Sequence, residues 1–180
     1  MNRLIVFSLI VFSGLFFDRL NIFKIYLLST VLHETGHVIA YRLFTNKMPY
    51  IDISAFGYKM YNNVLHNKFY ILILLRGPVT NFIIAAFALI LINYKGTFTV
   101  YIWFFVNFLI FIFNILPVYF LDGGQVLYCL SPFYQRNYVI ISIFTVLIIS
   151  VMVYSFTGVS LSFALFLIYF IINMLNDIWK

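Results

Sequence analysis

The sequence predicts an all-α polytopic membrane protein of about six transmembrane helices, with a β-hairpin at the membrane surface between the second and the third. Three observations carry that prediction. Of the 180 residues, 64% are hydrophobic and only 9% are charged, where a soluble domain carries about a quarter of its residues as charges. A water-soluble globule of this length has too little interior to bury so much apolar surface. The apolar residues also fall in long runs divided by charges and turn residues, most of them near the roughly 20 residues a helix needs to cross the hydrocarbon core. The same shortage of polar surface excludes nucleic-acid binding despite a net charge of +6, because no polar face exists to carry a basic patch. Cys129 is the single cysteine, so no disulfide forms within the chain.

The runs follow in order. The first, 4–17, is short and ends at Asp18-Arg19. Arg3 precedes it as in a signal peptide, but no small-residue cleavage site follows, which makes it an uncleaved anchor. The second run covers 22–44, the third 69–92, the fourth 98–121, the fifth 138–156 and the sixth 159–175. Between the second and third lies a stretch of another kind, 47–68. There Ile51, Ile53 and Ala55 alternate with Asp52, Ser54 and Phe56, and Gly57 offers a turn before Tyr58. Period-two alternation bounded by a turn residue reads as a hairpin, over about 49–65. Chain 1–180 is then one membrane domain with no attached soluble module.

Orientation follows from the loop cations. With the N-terminus inside, Arg3, Arg42, Lys47, Lys59, Lys68, Arg136 and Lys180 lie on the inner side, against Arg19, Lys24 and Lys95 on the outer. Both termini are therefore expected in the cytoplasm. Arg76 falls within the third run and is expected to snorkel to the cytoplasmic surface.

Chemistry concentrates in one pentapeptide, His33-Glu34-Thr35-Gly36-His37, which holds the sole glutamate and two of the three histidines. It sits within an apolar helical run, where each ionisable group costs roughly 2.5–3.5 kcal/mol to insert, so a compensating role is expected. Residues i and i+4 on a helix lie one turn apart and about 40° apart around the axis. His33 and His37 therefore present ring nitrogens to one tetrahedral zinc. Glu34 is rotated about 100° from His33, too far round to be the natural ligand. It is placed to hydrogen-bond a water at the metal's open position, taking its proton as general base and delivering it to the leaving amine.

A catalytic zinc needs a third protein ligand, and Asp18, Asp52, Asp122 and Asp177 are the remaining acids. Asp122 closes the fourth run, five residues after Pro117 and ahead of Gly123-Gly124. Pro117 breaks the helix and lets the chain turn the carboxylate back into the bundle, while the glycines permit close backbone approach. A helix-terminal cap in a loop is the competing reading of Asp122.

Together the motifs resemble the site-2 protease family of intramembrane zinc metalloproteases, particularly its compact bacterial group, which includes a sporulation sigma-factor processing enzyme. His33-Glu34-Thr35-Gly36-His37 matches the family's zinc motif, and Asn114, Pro117 and Asp122-Gly123 match its second. Arg76-Gly77-Pro78-Val79-Thr80-Asn81 is similar to its Gly-Pro-x-x-Asn element. The resemblance covers about 25–130. It implies His33, His37 and Asp122 as ligands of one zinc ion per chain, Glu34 as catalytic base, and a bacterial cell membrane as location. Two departures stand out. Tyr119, Phe120 and Leu121 occupy the stretch where many relatives carry a further proline. The soluble regulatory or peptide-binding domain of many relatives has no counterpart here.

Other residues serve as candidates for substrate binding. A helical peptide bond must unwind before hydrolysis, and an edge strand offers backbone partners to the extended chain, which brings in Ile53 of the hairpin. Asn114 is suited to bond the substrate backbone or the developing oxyanion, or else a neighbouring helix. Asn81, one turn beyond Gly77-Pro78, is the third candidate, and packing is the better reading of the glycine and proline. His66 reads as an exposed loop histidine.

The leading expectation is thus an intramembrane zinc endopeptidase cutting transmembrane or membrane-associated proteins near the cytoplasmic face. Its partners are the lipid bilayer, a membrane-protein substrate, and a regulatory membrane protein or further copies of the chain; nucleic acid is not among them. The alternative is a metal-ion transporter using the same histidines and Asp122. One site with an adjoining glutamate suits hydrolysis better than multi-site conduction. A third class is an inactive relative that binds membrane proteins, against which the intact ligands and base argue.

Overall fold

A computed structural model describes residues 18–49, 51–54, 57–60 and 67–157. Among these residues five helices and two short strands follow one another: α1 (Ile22–Thr45), β1 (Ile51–Ser54), β2 (Gly57–Met60), α2 (Asn67–Tyr94), α3 (Phe98–Ile115), α4 (Asp122–Leu130) and α5 (Pro132–Thr157). The chain divides into two units, Met1–Phe113 and Asn114–Lys180.

Each helix of the first unit starts and stops where its sequence allows. Asp18 caps α1, its carboxylate accepting from the backbone N–H groups of Ile22 at 2.9 Å and Lys24 at 3.0 Å. Those are donors that the first turn leaves without intrahelical partners. Asn46 ends the same helix in the left-handed region, φ 54°, with its N–H on the Arg42 carbonyl, a conformation asparagine tolerates better than most residues. Along α1 the buried residues are Ile25, Ser29, His33, His37 and Ala40. Steps of four and three residues make one stripe, and it faces α2.

Close approach of α1 and α2 depends on two glycines. A Cβ at Gly36 would collide with the Thr80 hydroxyl and the Arg76 carbonyl, and one at Gly77 would collide with both histidine rings of α1. On α2 the buried positions Ile73, Leu74, Gly77, Pro78, Asn81, Ala85 and Ala88 repeat the same spacing. Small residues at such contacts are how membrane helices pack, since lipid removes the hydrophobic drive between them. Pro78 lies inside α2 and cannot donate to the carbonyl four residues earlier, yet the helix runs on to Tyr94. α3 packs on this pair through Asn107, its one buried residue, and through Phe111, whose ring centroid lies 5.1 Å from that of Phe82. β1 and β2 pair antiparallel, Ile51 opposite Met60 and Ser54 opposite Gly57. Gly57 thus opens the second strand and does not form the turn itself.

The second unit departs from expectation at its start. The fourth run covers 98–121 with its helix expected to break at Pro117, but α3 stops two residues ahead of that, at Ile115. Pro117 disfavours the helical conformation in the residue before it and removes a donor. The following segment forms turns, with Val118 N–H on the Leu116 carbonyl at 2.8 Å and Leu121 N–H on the Val118 carbonyl at 2.9 Å. Asp122 then opens the separate nine-residue helix α4; it does not close α3. Gly123 and Gly124 are buried so tightly against the carbonyls of Ile115 and Val118 that neither position accommodates a Cβ. From α5 the Tyr134 hydroxyl donates to the Pro117 carbonyl at 3.0 Å, and the Ser142 hydroxyl accepts from Tyr119 N–H at 3.1 Å. Val118 and Val146 form the small buried core of this unit, with Leu116, Phe120, Leu121 and Ile143 around it.

Among the described residues, three helical segments are long and apolar enough to cross a membrane: Phe69–Tyr94, Phe98–Ile115 and Pro132–Ser155. The fifth run therefore begins in helix at Pro132, six residues earlier than its apolar stretch. α1 is helical over its whole expected length but is not among the three. It carries Lys24, Glu34 and Arg42 besides its two histidines. The first and sixth apolar runs and His66 lie outside the described residues. Many large apolar side chains on the helices face outward, Phe87 at 61%, Phe105 at 56% and Val151 at 63% among them. Exposed on that scale, they are an interface with lipid rather than with water.

Candidate metal centre

His33 and His37 converge on α1. Both are buried, at 5% and 6% exposure, and their rings stand nearly perpendicular, with centroids 4.9 Å apart. Their Nε2 atoms lie 3.2 Å from each other. What each ring does with its other nitrogen decides the meaning of that distance. His37 Nδ1 lies 2.8 Å from the backbone carbonyl of Ile73 on α2. A carbonyl only accepts, so Nδ1 carries the proton and Nε2 a lone pair.

His33 reaches the same state by a longer route. Its Nδ1 lies 2.6 Å from Asn81 Oδ1. The Asn81 amide nitrogen donates to the Ser29 backbone carbonyl at 3.3 Å and to Asn107 Oδ1 at 2.9 Å. With both amide hydrogens so used, Asn81 presents its oxygen to the histidine, and His33 Nδ1 must donate. The two Nε2 atoms are the acceptor nitrogens of their rings and lie side by side inside the protein, an arrangement suited to holding a cation.

The geometry fits zinc. Two Zn–N bonds of about 2.0–2.1 Å spanning the 3.2 Å separation subtend about 100–106°, close to a tetrahedral angle. Each ring also has its outer nitrogen on an oxygen acceptor, the arrangement that orients metal-bound histidines and raises their basicity. Gly77 completes the cradle, because any side chain there would occupy the space in front of both Nε2 atoms.

The other sequence-based candidates fall in different places. Glu34 is half-buried on α1, one residue beyond His33. Asn81 is wholly buried, and its amide is directed at His33, Ser29 and Asn107. That is a supporting position behind the histidine. Ile53 lies on β1 opposite Tyr58. Asn114 and Asp122 belong to the second unit, Asn114 half-buried near the end of α3 and Asp122 at the first position of α4. There its carboxylate stands at the end of the helix where the macrodipole favours negative charge. Between them Tyr119 is half-buried, and burial, with the neighbouring Tyr128 and Tyr138 hydroxyls, raises its phenol above the ordinary value.

Ser29 and Asn107 were not singled out from the sequence. The available signal was Ser29 exactly one histidine spacing before His33, and a lone asparagine in the middle of an unbroken apolar span.

No family model matches the chain, and no curated protein sequence matches it. Among solved structures it is similar to the site-2 protease from Methanocaldococcus jannaschii, with a TM-score of 0.61 and 19% sequence identity, over 93% of this chain and 82% of that chain. At that identity the likeness is one of fold, and it is the fold that the motif resemblance implies.

Proposed function

We propose that the chain is an intramembrane zinc metalloendopeptidase of the site-2 protease type. It hydrolyses peptide bonds of transmembrane or membrane-associated proteins near the cytoplasmic face of a bacterial cell membrane. The observation that carries the proposal is the pair of facing Nε2 atoms, 3.2 Å apart, with each Nδ1 directed at an oxygen. The shared fold with a site-2 protease agrees with it.

His33 and His37 would hold one zinc ion, and Asp122 is proposed as the third ligand on the chemistry of its carboxylate and its place in the second motif. When bound, the zinc lowers the pKa of a water and polarises the scissile carbonyl. Glu34 accepts that water's proton as the oxygen adds to the carbonyl carbon, then passes the proton to the departing amine nitrogen as the C–N bond breaks. Asn114 is proposed to donate to the substrate backbone or to the oxyanion. An extended substrate adds alongside β1 near Ile53, trading its own helical hydrogen bonds for those of the strand.

The test is co-expression with candidate single-span membrane proteins. Glu34→Gln keeps the side chain's size but cannot take a proton. It is expected to retain zinc and to lose about 10²–10⁴-fold in cleavage. Asp122→Asn is expected to lose zinc and cleavage together. Cleavage by both variants at the rate of the parent would sink the hydrolytic reading, and metal flux across vesicles that survives Glu34→Gln would favour the transporter instead.

A further inference from the structure

We infer that Asn107, on α3, is a positioning residue for the metal site: with Ser29 it sets the orientation of Asn81 and, through it, the tautomer in which His33 offers Nε2 as a ligand. The inference rests on the proposed role of His33 as a metal ligand and adds to it a residue that lies outside the sequence motifs.

The chain of bonds has a direction. Asn107 Nδ2 donates to the Trp103 backbone carbonyl at 2.9 Å and to Ser29 Oγ at 3.0 Å. Because the Trp103 carbonyl only accepts, the Asn107 amide has one orientation, with Oδ1 turned to Asn81. That oxygen takes one hydrogen of the Asn81 amide at 2.9 Å, and the Ser29 carbonyl takes the other at 3.3 Å. Asn81 Oδ1 is left to accept from His33 Nδ1 at 2.6 Å. A reversed Asn81 amide would point its nitrogen at His33. The proton would then move to Nε2, and no lone pair would remain for a metal.

Burial gives the relay its force. Ser29, Asn81 and Asn107 each show 0% exposure, so no water competes for these groups, and a polar group buried in an apolar bundle is retained only where it is satisfied. Asn107 is also the one buried residue of α3, a helix whose other residues are apolar apart from Thr99, Tyr101 and Asn114. Packing alone would be served equally well by a leucine.

The experiment measures zinc affinity of the purified full chain in detergent by competition with a chromophoric chelator, using Asn107→Leu, Asn81→Leu and the double variant. Melting of the metal-free proteins reports folding separately. Groups that hydrogen-bond the outer nitrogen of a metal-bound histidine typically contribute about 10–100-fold in metal affinity. Asn81→Leu is expected to lose that much, and Asn107→Leu about tenfold. Since Asn107 acts through Asn81, the double variant is expected to bind no more weakly than Asn81→Leu. In the metal-free chain, the ¹⁵N shifts of His33 are expected to move from the Nδ1–H toward the Nε2–H form in Asn107→Leu.

Unchanged affinity in Asn107→Leu overturns the inference, as does an equal further loss in the Asn81→Leu background, which would mark a packing role. Ser29→Ala, which leaves the Trp103 contact intact, is expected to show a smaller loss with the same dependence on Asn81, and serves if Asn107→Leu does not fold. Failure of the underlying reading looks different: the parent chain takes up no zinc, or His33→Ala binds as the parent does.

Discussion

At the scale of single residues, the tightest constraint on the histidine pair falls on Gly77. A methyl group there would overlap both Nε2 atoms, so Gly77→Ala must turn the rings away or push α2 off α1. Alanine is nonetheless the better helix former, by about 1 kcal/mol. The expected outcome therefore separates site from scaffold. Zinc affinity falls about tenfold or more, on the scale of lost supporting contacts, while helical content by circular dichroism is unchanged. A drop in both together would mean that Gly77 serves only the packing of the helix pair. His37 differs from His33 in being held by backbone. The Ile73 carbonyl holds its Nδ1, so no side-chain substitution removes that partner.

At the scale of elements, α5 holds the segment that leads into Asp122. The two contacts involved are unequal. Ser142→Ala leaves the Tyr119 N–H without its acceptor, and an unsatisfied donor in a part-buried site costs about 1–3 kcal/mol. Tyr134→Phe removes a donor from the Pro117 carbonyl, the loss of an ordinary hydrogen bond, about 0.5–1.5 kcal/mol. Ser142→Ala should therefore lower the melting temperature in detergent more than Tyr134→Phe does, and a reversed order would show that these bonds do not secure the segment. The Pro117 turn also explains why Asp122 begins a helix. Once α3 has ended, the acidic side chain stands at a new N-terminus, and two glycines let α4 start directly against the residues it follows.

For the whole molecule, the surface is the part that lipid decides. Phe105 on α3 is 56% exposed within a helix apolar enough to span a bilayer. An arginine at such a depth costs about 2.5–3.5 kcal/mol on an insertion scale. Phe105→Arg is expected to reduce insertion of the 98–115 segment in a translocation reporter, with little effect from a conservative Phe105→Leu. Insertion of the arginine variant at the parent level would place that face against protein or water instead.

Much of this was legible in the sequence because the physics behind it is local. Hydrocarbon length fixes where apolar runs become helices, so α2 was expected to within two residues at each end. Helical period puts His33 and His37 on one face, and scarcity makes Glu34 conspicuous. Pro117 marked a break, but the break came earlier than expected, because proline also restricts the residue ahead of it and the turns that follow are held by α5. Only the tertiary structure decided what stands behind the histidines. Asn81 accepts from His33, Asn107 connects to it from another helix, and Gly77 leaves clearance for two rings. The reason is that hydrogen-bond direction is not a property of spacing. It is set by which backbone carbonyls, fixed acceptors on other helices, each amide is made to face.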